Sequence, residues 1–136
     1  MEKQCQLLLS YADNSFAANI SLYRSTANTV AEVILSGAPD NKFSMIATVI
    51  FDVLTESECS HCVLNINDID FYENQVVNEF AVGGVVTIIT SAIEQGASVA
   101  VITDDSIFRN IIHQAFKKHK RCSKVKTFSV QESLSP

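Results

Sequence analysis

The chain has 136 residues, 47% of them apolar and only two of them proline, which excludes disordered and collagen-like character. Its formal charge of −5 is unevenly spread: positions 1–108 hold fourteen acids against three bases, and positions 109–136 hold seven bases against Glu132. An acidic total disfavours general nucleic-acid binding, which depends on cations neutralising phosphates. No apolar run approaches the ~20 residues of a membrane-spanning helix, and Leu7-Leu8-Leu9 is too short for a secretory signal. One domain in a cytoplasmic, reducing setting is therefore expected.

In chain order, Gln6 to Tyr11 reads as a strand followed by the turn Ala12-Asp13-Asn14-Ser15. Phe16 to Tyr23 and Thr29 to Leu35 read as two more, separated by Arg24 to Asn28. The spacing of Phe43, Ile46, Ala47, Ile50, Val53 and Leu54 predicts a helix from about Asn41 to Glu56, with Asp40 as its N-cap. Cys62 to Asn67 follows as a strand. A second helix is expected within Gln75 to Glu94, with Val77, Ala81, Val85, Ile88, Ala92 and Ile93 as its core stripe. Gly83-Gly84 inside it reads as close helix–sheet packing, or as a helix that starts later. No Lys-Ser/Thr follows to make a phosphate loop. Gly96 ends that helix.

Ser98 to Thr103 is a buried strand of parallel type. Asp104-Asp105-Ser106 caps a third helix, whose core face is Ile107, Phe108, Ile111, Ile112, Ala115 and Phe116. Lys117, Lys118, Lys120 and Arg121 complement its negative end. Val125 to Val130 is a last strand and Gln131 to Pro136 a short tail. Strands alternating with helices imply right-handed crossovers onto one sheet.

Catalytic signatures are missing. There is no G-x-S-x-G elbow, H-E-x-x-H helix or Walker-type loop. Cys59-Ser60-His61-Cys62 has the spacing of half a zinc site or of a redox pair, but no second knuckle completes it. It reads as small residues at a strand entrance. Asp68, Asp70 and Glu73 cluster after a central strand, on the sheet edge where ligands of open α/β folds bind. They read as loop carboxylates. No enzyme, cofactor or metal is expected from this set.

Three joints resemble the STAS family, which contains anti-sigma-factor antagonists and cytoplasmic domains of sulfate transporters. Leu35-Ser36-Gly37-Ala38-Pro39-Asp40 is similar to the family's L-S-G-x-x-D. Val63-Leu64-Asn65-Ile66-Asn67-Asp68-Ile69-Asp70-Phe71 resembles V-x-L-D-L-S-x-V-x-F, and Gly96 to Ile102 resembles the Gly joint after the second helix. Phe128 to Leu134 is similar to the usual last strand and its Glu-rich ending. The resemblance spans about residues 16–134 of one domain, 1–136. It implies an α/β fold: a mixed, mostly parallel sheet with an N-terminal hairpin and three or four packing helices.

The resemblance also implies a function: a non-enzymatic regulatory domain whose partner is an anti-sigma factor, itself a kinase. Family antagonists carry Asp-Ser-Ser-Gly at the start of the second helix, and that kinase phosphorylates one serine. This chain offers instead Glu73-Asn74 or, with a gap after Phe71, Asn78-Glu79-Phe80-Ala81. Neither contains Ser or Thr, so the charge switch of about two units is not expected here. Glu73 or Glu79 supplies one fixed carboxylate in its place. The expected docking surface is Asp70, Phe71, Tyr72, Glu73, Asn74, Gln75 and Asn78, with the helix starts Asp40-Asn41 and Asp104-Asp105-Ser106. Exposed Phe71 or Tyr72 is its expected anchor. The alternative is a small-ligand sensor for nucleotides or lipids, and a homodimer is a further partner expectation.

Overall fold

A computed structural model describes residues 4–73 and 75–134. It begins with a meander of three antiparallel strands, β1 (Gln4–Ala12), β2 (Phe16–Arg24) and β3 (Thr29–Gly37). Helix α1 (Phe43–Ser57), strand β4 (His61–Ile69), and the two-residue strands β5 (Tyr72–Glu73) and β6 (Val76–Val77) follow. Then come α2 (Glu79–Glu94), β7 (Ser98–Ile102), α3 (Ser106–Phe116), β8 (Val125–Phe128) and α4 (Val130–Leu134). The main sheet has the order β1-β2-β3-β4-β7-β8, and its last three pairings are parallel. This is the α/β architecture the sequence predicts.

The strand order advances in one direction through β3, β4, β7 and β8. Right-handed crossovers that always step the same way put every connecting helix on the same face. Burial follows. In β2, Phe16, Ala18, Ile20 and Leu22 are buried and alternate with half-exposed residues. Ala31, Val33 and Leu35 in β3, Cys62, Leu64 and Ile66 in β4, and Val99 and Val101 in β7 repeat the pattern. These side chains join those of α1, α2 and α3 in one continuous core. Among the described residues no helix covers the opposite face of the sheet.

Several local expectations are corrected. Helix α2 falls within the expected range, but Val77, expected in its core stripe, lies outside it in β6. The glycine pair packs helix on helix rather than helix on sheet: a Cβ at Gly84 would run into the Phe43 ring of α1, while one at Gly83 would meet nothing. In α3 only Phe108, Ile112 and Phe116 are buried; Ile107 and Ala115 face solvent because an 11-residue helix lies on the sheet along a narrow i, i+4, i+8 stripe. Strand β8 stops at Phe128, and the expected tail starts with a helical turn. A capping box makes it: Ser129 N–H donates to Glu132 Oε1 at 2.8 Å, and Glu132 N–H donates to Ser129 Oγ at 3.1 Å.

Candidate functional site

The chain turns sharply at the end of β3. Gly37 has φ +90°, and a Cβ there would strike the backbone of Ser15 and Phe16. Its carbonyl accepts Asp70 N–H at 2.8 Å, which brings the end of β4 beside the approach to α1. Asp40 accepts Lys42 N–H on its carboxylate (2.9 Å) and Phe43 N–H on its carbonyl (2.9 Å). It shapes the turn into α1. The residue in the cap position itself is Lys42, whose side chain makes no cap bond.

Asn78 joins three segments. Its N–H donates to Phe71 O at 2.6 Å, so the β5–β6 excursion is pinched closed at its base. Its Nδ2 donates to Pro39 O at 2.7 Å. Its Oδ1 accepts Phe80 N–H (3.0 Å) and Ala81 N–H (3.3 Å), which caps α2. With the hairpin closed off, Asn78-Glu79-Phe80-Ala81 form the cap and first turn of the second helix. Glu79 complements the positive end of the helix.

A further segment arrives through Asp105. It caps α3 by accepting Phe108 N–H at 2.9 Å, and it also accepts the Tyr72 hydroxyl at 3.0 and 3.2 Å. Burial, then the hydrogen bond to Asp105, then its charge push the Tyr72 pKa up. Asp104 N–H donates to Asn67 Oδ1 at 2.8 Å, and its carboxylate accepts Val130 N–H at 2.8 Å.

The predicted residues therefore converge on one edge, at the carboxyl ends of β3, β4 and β7. Asp40, Asn41, Asp70, Tyr72, Glu73, Asn78 and Phe80 line a groove of about 480 Å³. Asp104, Asp105, Asp70 and Tyr72 line an adjoining hollow of about 360 Å³. Gln75 stands exposed at the hairpin tip with φ +67°, and Ser106 is exposed at the first position of α3. Asn74 lies outside the described residues.

Two of these residues have a structural part instead. Phe71 is 3% exposed and stacks on Phe108 with ring centroids 3.6 Å apart, so it belongs to the core and is no surface anchor. Asn78 is 8% exposed and spends its polar atoms inside the fold. The exposed aromatic of this edge is Phe80, at 51%. Its position in the first turn of the helix, one residue off the stripe of Ala81, Val85 and Ile88, is the signal that marks it in the sequence.

Position takes the two thiols of the Cys-Ser-His-Cys segment off the surface. Cys59 and Cys62 are free and buried; burial pushes the Cys62 thiol up to about 12 and raises that of Cys59. His61 turns to the other side of the sheet, where Nδ1 lies 2.5 Å from Ser98 Oγ. Among the described residues no group of three or more His, Cys, Asp and Glu could hold a metal ion. No helix among them is long and apolar enough to cross a membrane.

No family model and no curated protein matches the chain. Among solved structures, it superposes on an anti-sigma factor antagonist from Mycobacterium paratuberculosis with a TM-score of 0.55, over 90% of this chain and 94% of that one. The fold is STAS-like. At 13% identity the likeness is one of fold alone.

Proposed function

We propose that this chain is a non-enzymatic regulatory domain of STAS type that docks a protein partner, such as a kinase-like anti-sigma factor, through the edge described above. The observation that carries it is the groove in which Asp40, Asp70 and Glu73 surround exposed Phe80 at the start of α2. An aromatic side chain on a rigid helical turn makes an interface anchor. The carboxylates around it select a basic partner surface and speed its approach. The same three carboxylates repel phosphate groups, which favours a protein over a nucleotide or lipid headgroup in this groove.

Serine phosphorylation has no substrate at the cap and first turn, where Asn78-Glu79-Phe80-Ala81 stand. Binding in this reading is constitutive, with Glu79 as a fixed charge. Affinity capture with the full chain, followed by titration of each recovered partner, tests it. Phe80→Ala and the pair Asp70→Lys, Glu73→Lys should each weaken binding about tenfold or more, as expected for an anchor and its charged surround. Binding untouched by either change would refute the proposal.

A further inference from the structure

Among the described residues no helix covers the face of the sheet away from the core, and the composition of its four parallel strands is unusual for a solvated surface. Strand alternation assigns it Val30, Glu32 and Ile34 from β3, His61, Val63 and Asn65 from β4, Ser98, Ala100 and Ile102 from β7, and Lys126 and Phe128 from β8. Within these rows there is one acid, Glu32, and one base, Lys126. The rest, His61 among them, is largely apolar.

The register places those two charges in a single row. Glu32 pairs with Val63, Val63 with Ala100, and Ala100 with Lys126. The next row toward the carboxyl ends reads Ile34, Asn65, Ile102, Phe128. Within these four parallel strands each row has complementary flanks around a midpoint between β4 and β7; the rows run on into Ser21 and Asn19 of β2, which lie beyond the edge of the second copy. A two-fold axis through that midpoint, parallel to the strands, lays Glu32 over Lys126 of the second copy and Lys126 over its Glu32. The same operation lays Ile34 over Phe128 twice and Val63 over Ala100 twice. Facing sheets pack about 10 Å apart, a gap that a Glu and a Lys side chain close together.

We propose that two copies of this chain associate face to face through this sheet surface, related by that two-fold axis and held in register by reciprocal Glu32–Lys126 pairs. The interface is isologous, as closed dimers require. Four strands at about 4.8 Å spacing and about five residues at 3.3 Å rise give a flat footprint of about 300 Å² per copy. That is below the ~800 Å² per partner of stable complexes, so the dimer is weak and concentration-dependent. The acidic groove lies at the strand ends and stays open to a partner in both copies.

Analytical ultracentrifugation of the full chain over a wide concentration range tests the proposal. The wild type should move from monomer to dimer. Glu32→Lys and Lys126→Glu should each raise the dissociation constant about tenfold, and the double charge swap should return it to near the wild-type value. Circular dichroism checks that each variant folds; Lys126, exposed on the edge strand, decides the matter if Glu32→Lys unfolds. A wild type that stays monomeric at every concentration overturns the proposal, whether or not another protein or a lipid vesicle then covers the face. So does a dimer that the single swaps leave intact or that the double swap fails to restore.

Discussion

Asn78 illustrates how one short polar side chain sets the candidate site. It caps α2, holds Pro39 and closes the hairpin base, so three loops share one anchor. Asn78→Ala should destabilise the fold by about 1–2 kcal/mol, the usual cost of a lost cap. Asn78→Asp keeps a cap acceptor but sets a carboxylate oxygen against the Pro39 carbonyl, and should be destabilised as well. Urea unfolding of both variants separates this from a simple cap, which Asp would preserve. Arg121 works in a similar way at the opposite end of the same helix. Its guanidinium donates to Ile93 O (2.7 Å) and Glu94 O (2.6 Å), so it satisfies the end of α2 rather than the end of α3 on which the sequence places it.

At the scale of elements, two contacts decide how the helices meet the meander. The first is the crossing of α1 and α2 at Gly84. Gly84→Ala drives a methyl into Phe43 and should lower the unfolding free energy by about 1–3 kcal/mol, the range for overpacking. Gly83→Ala, one residue away on the open side, should instead raise it by up to about 1 kcal/mol through helix propensity. Denaturant midpoints moving in opposite directions confirm that the pair is not a phosphate loop.

The second contact is the β1–β2 turn. Asp13 accepts the Tyr11 hydroxyl (2.6 Å) and the N–H groups of Phe16 (3.0 Å) and Ser15 (2.7 Å), and pairs with Lys42 at 3.0 Å. The Tyr11 hydroxyl foremost, then the two N–H groups, hold its carboxyl well below the usual 3.8. A lowered folded-state pKa contributes stability that is present above the unfolded value and is lost as pH falls through the folded one. Melting temperatures measured downward from pH 6 should therefore fall once the pH passes below about 4. Asp13→Asn should be less stable at neutral pH and show a shallower acid limb.

At the scale of the whole molecule, charge is sorted by the topology. Parallel strands and one-sided crossovers bring the starts of α1, α2 and α3 to one edge, where Asp40, Asp70, Glu73, Glu79, Asp104 and Asp105 gather. Lys117, Lys118 and Lys120 follow the far end of α3, about 16 Å away along an 11-residue helix. The skewed charge of the sequence thus becomes an acidic edge at the helix starts and a basic cluster after α3, beside Glu56, Glu58 and Glu94 at the ends of α1 and α2.

Periodicity ordered the longer strands and helices, because burial alternates every second residue in a strand and every three to four in a helix, whereas β5, β6 and α4 are too short to show a period. Of the Gly joints, Gly37 turns the chain at the acidic edge and Gly96 at the far end of α2, and a positive φ at each is a local demand that a sequence displays. Local pattern could not decide which aromatic of that edge faces out. Phe71 is buried because Phe108, 37 positions away in the chain, stacks on it, while Phe80 is exposed because Ala81 takes the inward position on α2. Nor does any short segment reveal that, among the described residues, the helices all cover one face of the sheet. That follows from where three crossovers return, and contacts of that length exist only once the chain has closed on itself.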